Sequence, residues 1–285
     1  MLIDTGFNTP YCLNSLLQGM EELELDPHNT DVFITHSHFD HLGNAGNLFD
    51  MGCRILLSSE DYDFYLSEPW VRQMENSKKD GIPEELRSAM DIRHGIPSAF
   101  HPELVNEGDV LHVGGYDLEC ILTPGHTPGH ICLYDKKAET IFTGDHVLFN
   151  ITPNITYVDN GKDMLALYLE SLNKIQDLKV SLALPGHRST GDKTFRQRID
   201  ELKLHHEQRL AEAEKVAKEL GPIDAYRAAG HMAWSIRAKS WDDFPNNQKW
   251  FATGETLAHL LYLADVGRLK NEMTADGLSV YGALD

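Results

Sequence analysis

The sequence predicts an α+β fold with a small, mainly helical C-terminal domain. Three observations carry this. Short apolar, β-branched runs at residues 31–35, 54–58, 109–122, 131–134, 141–143 and 180–184 read as strands. Segments of helical periodicity lie among them, such as 163–178 with Leu165, Leu169, Leu172 and Ile175 on one face. Beyond Thr190-Gly191-Asp192 the chain turns charged and amphipathic, the mark of a helical region.

Taken in order, Leu2-Ile3 opens as a strand and residues 11–25 form a helix with Asn14 and Glu21 on its polar side. Residues 31–35 are a buried strand, 43–50 a helix and 54–58 a second strand. Residues 59–101 read as an insertion, a lid or pocket wall, with Tyr62, Phe64, Tyr65, Trp70 and Met74 broken by Pro69, Pro83 and Pro97. A hairpin spans 109–122 with Gly114-Gly115 at its turn, and strands at 131–134 and 141–143 flank Lys136-Lys137. A long charged helix over 193–220 stops at Gly221-Pro222. A short helix, a loop rich in Trp and Asn, a helix at 255–266 and a hairpin-like wing at 277–281 complete the chain. The expected organisation is a catalytic domain over 1–192 and a helical, winged-helix-like region over 193–285.

The chemistry concentrates in His36-Ser37-His38-Phe39-Asp40-His41, four metal-binding side chains in six residues. His126, Asp145 and His187 follow later, each directly after a glycine and each after a strand-like run. Glycine lets a tight turn bring backbone close to a metal without a Cβ clash. Imidazole with carboxylate suits zinc, iron or manganese, and the absence of nearby thiolates points to an open catalytic site. Ligands on loops at strand ends sit where a rigid sheet can hold them.

This His-x-His-x-Asp-His run, followed by His, Asp and His at strand ends, resembles the signature of the metallo-β-lactamase superfamily. The likeness covers roughly the first 190 residues and matches all seven positions. It implies a four-layer αβ/βα sandwich with the metals at one edge. It also implies that His36, His38 and His126 hold one metal, that Asp40, His41 and His187 hold a second, and that Asp145 bridges them. True β-lactamases usually lack that bridging Asp, so the resemblance leans toward the glyoxalase II-like, lactonase-like and nuclease branches. The family normally places strands ahead of the Asp-Thr-Gly turn, here Asp4-Thr5-Gly6. The expectation is that a partner subunit, the C-terminal part or a longer natural chain covers the first strand's edge.

Composition narrows the substrate. The formal net charge is −19. Residues 193–285 carry 13 Lys+Arg and 14 Asp+Glu, which leaves 12 and 30 for residues 1–192. An acidic catalytic domain repels polyphosphate, so a small-molecule substrate is expected and nucleic acid is not. The C-terminal region lacks a basic helix, which favours packing, homodimer contact or a pocket wall over DNA binding. No run is long and apolar enough to span a membrane, and no basic-then-apolar leader opens the sequence, so the expected compartment is the cytoplasm. Cys12, Cys53, Cys120 and Cys132 show no Cys-x-x-Cys spacing and read as reduced core thiols.

The expected reaction is hydrolysis of a small thioester or ester carbonyl by hydroxide shared between two divalent ions, most simply zinc, with iron or manganese the alternatives. Asp40 is the proton acceptor and Asp145 the bridge. A lactonase is the near alternative and a phosphodiesterase or nuclease the next. A flavodiiron-type redox protein fits poorly with His38 and the short C-terminal region, and a degenerate binding module fits poorly with seven intact ligands. Around the site, His130 reads as an outer partner of the metal ligands. His146, at the pocket mouth, and Tyr157, as an oxyanion donor, are candidate substrate contacts. His205, His206 and His259 read as core or interface residues.

Overall fold

The computed structural model describes residues 1–89 and 96–284. Residues 90–95, inside the expected insertion, lie outside the described residues. In chain order the elements are β1 (Leu2–Ile3), α1 (Pro10–Glu22), β2 (Asp31–Phe33), α2 (Phe39–Leu42), α3 (Ala45–Asp50), β3 (Arg54–Ser58), α4 (Ser59–Leu66), α5 (Pro69–Asn76) and α6 (Glu84–Ala89). There follow β4 (Glu103–Val105), β5 (Val110–Val113), β6 (Tyr116–Leu122), β7 (Ile131–Asp135), β8 (Thr140–Gly144), α7 (Met164–Ile175) and β9 (Leu182–Pro185). The chain closes with α8 (Phe195–Leu220), α9 (Ala225–Ala229), α10 (Asn246–Asp265), β10 (Lys270–Met273) and β11 (Ser279–Gly282).

Two compact units result, interleaved along the chain. One holds residues 1–67, 92–153 and 171–199; the other holds 68–91, 154–170 and 200–285. The first contains both large sheets. One is β1-β2-β3-β4, parallel throughout, with Val32 beside Ile55 and Leu56 beside Glu103. The other is β5-β6-β7-β8-β9, antiparallel except for the parallel β8–β9 pair.

Strand alternation builds the layers. Phe33, Leu56 and Val105 of the first sheet pack in one cluster with Leu118, Cys120, Ile131 and Leu133 of the second, so the sheets meet face to face. Val32, Ile34, Ile55 and Leu57 point the other way and pack with Met20, Leu42, Ala45 and Leu48 of the helices. Every residue of β7 is buried, which requires cover on both faces of the second sheet. The architecture is the mixed α+β sandwich that the sequence predicts. All four cysteines are free thiols.

The second unit is mainly helical, with the antiparallel β10–β11 pair as its small sheet. Its last helix departs from expectation. The sequence reading begins it at residue 255, whereas α10 starts at Asn246, after Pro245 at the N-cap. The polar Asn246-Asn247-Gln248 start and Gly254 masked the pattern. Gly254 is required there, because a Cβ would lie 2.3 Å from Thr156 Oγ1. The expected helix at 43–50 begins two residues later, as α3 at Ala45, with Gly43 and Asn44 separating it from the one-turn α2. A Cβ on Gly43 would meet the Asn8 amide nitrogen at 2.4 Å.

Candidate metal centre

The strand ends gather the seven ligand candidates. Backbone pairing continues past β2, with the Ile34 amide on Leu56 O at 2.9 Å and the Ile131 amide on Thr35 O at 3.0 Å. His36 therefore leaves the sheet at a fixed point. His38 is extended (φ −72°, ψ 148°) and caps α2, whose single turn swings Asp40 and His41 back toward the strand ends. His126, Asp145 and His187 enter on the turns after β6, β8 and β9. Gly144 has φ 44°, and a Cβ there would lie 2.6 Å from His130 Nε2. A Cβ on Gly186 would lie 2.7 Å from Asp145 Oδ1. The glycines before Asp145 and His187 are thus required by close approach, as their placement in the sequence implies.

All seven side chains converge. Their ligand atoms fall into three groups, His36–His38–His126, Asp40–His41–His187 and His36–His41–Asp145, each within 4.8 Å. His36 Nε2 and His38 Nδ1 are 3.1 Å apart, and His41 Nε2 and His187 Nε2 are 3.2 Å apart. Asp145 spans the first two groups. Its Oδ1 faces His41 Nε2 at 3.6 Å, and its Oδ2 faces His126 Nε2 at 3.6 Å and His187 Nε2 at 3.4 Å. Asp40 Oδ2 approaches His187 Nε2 at 3.2 Å.

A second ring of side chains fixes these groups. Asp4 is the principal one: Oδ2 lies 2.7 Å from His41 Nδ1, while Oδ1 accepts the Thr35 amide at 2.8 Å. His130 Nε2 accepts the Asp145 amide at 3.1 Å, which leaves Nδ1 to donate to Thr123 Oγ1 at 2.8 Å. His130 is therefore an outer partner, as its spacing implies. Asp61, fully buried, accepts from Ser37, Thr127 and Gly129. Asp4 and Asp61 escape the sequence reading. The first sits in an ordinary strand-to-turn Asp-Thr-Gly, and the second in a Ser-x-x-Asp pattern that reads as a helix cap.

Electrostatics divide the histidines. Burial holds the imidazoles of His36, His38 and His130 well below their ordinary range, so they are neutral. Neutral imidazole is the form that binds metal. Burial opposes charge on His41 too, yet the Asp4 and Asp145 carboxylates hold it well above the usual value. Asp145 and Asp40 lift His187 to about 9. Burial would raise the Asp145 carboxyl, but His187 and His41 hold it well below the carboxylate range.

The donor set fits divalent cations. Two ligands at ~2.0–2.1 Å from one tetrahedral ion lie about 3.4 Å apart, which the facing imidazole nitrogens nearly match. Asp145 Oδ1 is buried without a hydrogen bond among the described residues, an arrangement that a cation would relieve. Exposure is uneven: the Asp40 and His187 side chains are 28% and 36% exposed, whereas His41 is at 2%. The open side of the centre therefore lies at Asp40 and His187.

One substrate candidate, His146, is placed differently from expectation. His146 is fully buried, its ring 5.9 Å from that of His130, rather than at a pocket mouth. Its amide bonds Thr143 O at 2.9 Å, a turn that sends its ring inward as Asp145 turns to the ligands. Tyr157 belongs to the second unit, and its hydroxyl donates to Asp159 Oδ1 at 3.1 Å. Burial and Asp159 push that phenol up to about 12. His206 and His259 are core residues, both fully buried.

Comparison with known proteins agrees with this geometry. A family profile described as the metallo-beta-lactamase superfamily matches residues 1–187, and one for a metallo-beta-lactamase-like C-terminal domain matches 242–284. A hydroxyacylglutathione hydrolase of Haemophilus influenzae is 34% identical over 47% of this chain and 56% of its own length. An atrochrysone carboxyl ACP thioesterase of Aspergillus fumigatus is 28% identical over 73% of this chain and 54% of its own. The chain thus spans about half the length of those two relatives. The crystal structure of a metallo-beta-lactamase family protein from Thermus thermophilus matches with TM-score 0.80 and 27% identity, over 99% of this chain and 89% of the other. On the profile match across two sheets and seven ligand positions, the chain belongs to the metallo-beta-lactamase superfamily.

Proposed function

We propose that this superfamily hydrolase uses two divalent metal ions to cleave a small thioester or ester. The observation that carries the reading is the position of Asp145, whose two oxygens face both triads, at 3.6 Å from His126 and His41. An arrangement of two triads sharing one carboxylate is built for a pair of cations. Divalent cations held there would supply a water acidified to ionise near neutral pH and would polarise the carbonyl. Zinc suits the nitrogen-rich donor set best, with iron or manganese the alternatives.

The chain's own groups do the rest. His36 and His126 form the buried wall of the site with the half-buried His38 beside them, and Asp40 with His187 forms its open lip. Asp40 Oδ2 faces His187 at 3.2 Å and His41 at 3.7 Å, which leaves Oδ1 to accept the proton of an attacking water. Asp4 holds His41 in one tautomer and His130 anchors the backbone of Asp145, so both ligands need little reorganisation.

The thioester reading draws on the two relatives, one named for hydroxyacylglutathione and the other for an acyl-carrier-protein thioester. Lactone hydrolysis is the near alternative. Phosphodiester cleavage is disfavoured by the acidity of residues 1–192, which also argues for a small-molecule partner over nucleic acid. The reading keeps residues 1–192 as the catalytic region and gives 193–285 a packing, pocket-wall or homodimer role. No helix among the described residues is long and apolar enough to cross a membrane, and the proposed compartment is the cytoplasm.

The test is turnover of a glutathione thioester, a homoserine lactone and an activated phosphodiester by the zinc-reconstituted protein, with Asp145→Ala as blank. Preference for the thioester supports the reading. Preference for the phosphodiester overturns it.

A further inference from the structure

Asp61 is a fully buried carboxylate that binds no substrate-facing group, yet it touches two ligand loops at once. It sits in the first turn of α4, directly after β3. Its Oδ2 accepts the Ser37 amide at 2.7 Å and the Thr127 hydroxyl at 2.7 Å. Its Oδ1 accepts the Gly129 amide at 2.5 Å. Ser37 lies between His36 and His38, and Thr127 directly follows His126. One side chain therefore joins the two segments that carry all three imidazoles of the His36–His38–His126 group.

The local sequence accounts for how Asp61 comes free to do this. Ser58-x-x-Asp61 is a capping-box pattern, in which the acid would turn back to the amide of the capping serine. Half of the box is made: Ser58 Oγ accepts the Asp61 amide at 3.1 Å. The carboxylate instead reaches the loops, and Ser58 Oγ adds a further tie by donating to Gly129 O at 2.6 Å. The approach is close enough that a Cβ on Gly129 would lie 2.3 Å from the Asp61 nitrogen and 2.4 Å from Ser58 Oγ. Parallel pairing of β2 with β3 brings the ends of both strands side by side, which puts Asp61 beside the His36 loop.

We infer that Asp61 is a positioning residue: it clamps the His36-Ser37-His38 turn to the His126 turn and so fixes the spacing of the three-imidazole group. The chemistry requires a carboxylate. All three neighbours present donors, and only an acceptor-only side chain with two oxygens satisfies them. An asparagine would turn its NH2 toward either the Gly129 amide or the Ser37 amide, setting donor against donor. Burial pushes the Asp61 carboxyl up to about 6, and the three donors offset part of the cost of burying its charge.

The inference rests on the metal-binding reading of the three histidines, so its test uses cobalt(II) alone. Wild type, Asp61→Asn and Thr127→Val are titrated with cobalt against a competing chelator while the cobalt d–d spectrum is recorded. Thr127→Val leaves the carboxylate both backbone donors and removes only the tie beside His126. It decides the matter if Asp61→Asn does not fold. Folding is checked by circular dichroism and melting temperature. The expected result is about 10–100-fold weaker cobalt binding at one of two sites, with an altered d–d band, in folded Thr127→Val and more strongly in Asp61→Asn. A lowered melting temperature with wild-type cobalt affinity and spectrum would reduce Asp61 to a structural residue and overturn the inference. Wild-type protein that binds no cobalt overturns the metal reading itself, an outcome distinct from unaltered binding in the variants.

Discussion

Asp4 Oδ2 stands 2.7 Å from His41 Nδ1, across 37 residues of sequence. The same carboxylate accepts the Thr35 amide through Oδ1 at 2.8 Å, so it is anchored on the segment that leads from β2 into His36. Asp4 has φ 61°, a left-handed conformation that aspartate tolerates better than most residues. The pairing fixes Nδ1 of His41 as the protonated nitrogen and turns Nε2 toward His187 and Asp145. Asp4→Asn preserves shape but weakens this orientation. Metal affinity is expected to fall about 10–100-fold, and turnover with it at limiting metal. Turnover measured across a zinc titration checks this: recovery at high zinc is expected, and wild-type behaviour at low zinc would refute the role.

Gly186→Ala probes how tightly the ligand loops pack. The new Cβ would lie 2.7 Å from Asp145 Oδ1 and 3.0 Å from His41 Cε1. Both neighbours are constrained, so the site must shift by a few tenths of an ångström. Overpacking of this kind costs about 1–3 kcal/mol. The expected outcome is a folded protein, by circular dichroism, with at least a tenfold loss of turnover, on the order of what 1.4 kcal/mol delivers. Full activity would show that the Asp145 and His41 positions are softer than the geometry implies.

These two predictions bracket what the sequence discloses. The seven ligand candidates are legible because their spacing is local and their chemistry is carried by residue type. The strands beneath them are legible because β-branched runs such as Val32-Phe33-Ile34 have one physical reading. Asp4 and Asp61 are not, since each acts on residues brought near only by the pairing of β1, β2 and β3. The early start of α10 is hidden for the same reason: Gly254 is unfavourable in an isolated helix and is explained only by Thr156 beside it. His146 reads as a neighbour of the bridge, but its inward direction is set by a turn whose hydrogen bond to Thr143 has no local signature.

Acid sensitivity is expected from the helical unit. His206 Nδ1 and His259 Nε2 are 3.1 Å apart, and His259 Nδ1 donates to Glu255 O at 2.7 Å. Burial is the largest cause holding both imidazoles low, His259 at about 3, against 6.5 in the unfolded chain. The unfolded chain therefore binds more protons than the folded one below pH 6.5. This contribution to stability is full above pH 6.5 and is lost as pH falls toward 3, at up to about 1.4 kcal/mol per pH unit for each proton. Urea unfolding between pH 7.5 and 5 should show His206→Gln losing stability less steeply than wild type. Parallel slopes would exclude the pair as a source of the acid dependence.

Asp145→Ala tests the bridge directly. One oxygen faces His41 and the other faces His126 and His187, so its removal withdraws a carboxylate from both triads at once. Three candidate ligands remain in each of the two outer groups, His36–His38–His126 and Asp40–His41–His187. They differ in strength. The first is all imidazole, and desolvation keeps its His36 and His38 neutral, so it is expected to keep a metal without help. The second lies on the open side, and its His187 is 36% exposed. The expected result is retention of about one metal equivalent where wild type holds two, with turnover reduced at least about 100-fold, beyond the loss from an outer partner. Elemental analysis and turnover on the same preparation decide it. Two equivalents with near-normal turnover would refute the bridge, and complete loss of metal would show that the three-histidine group also depends on Asp145.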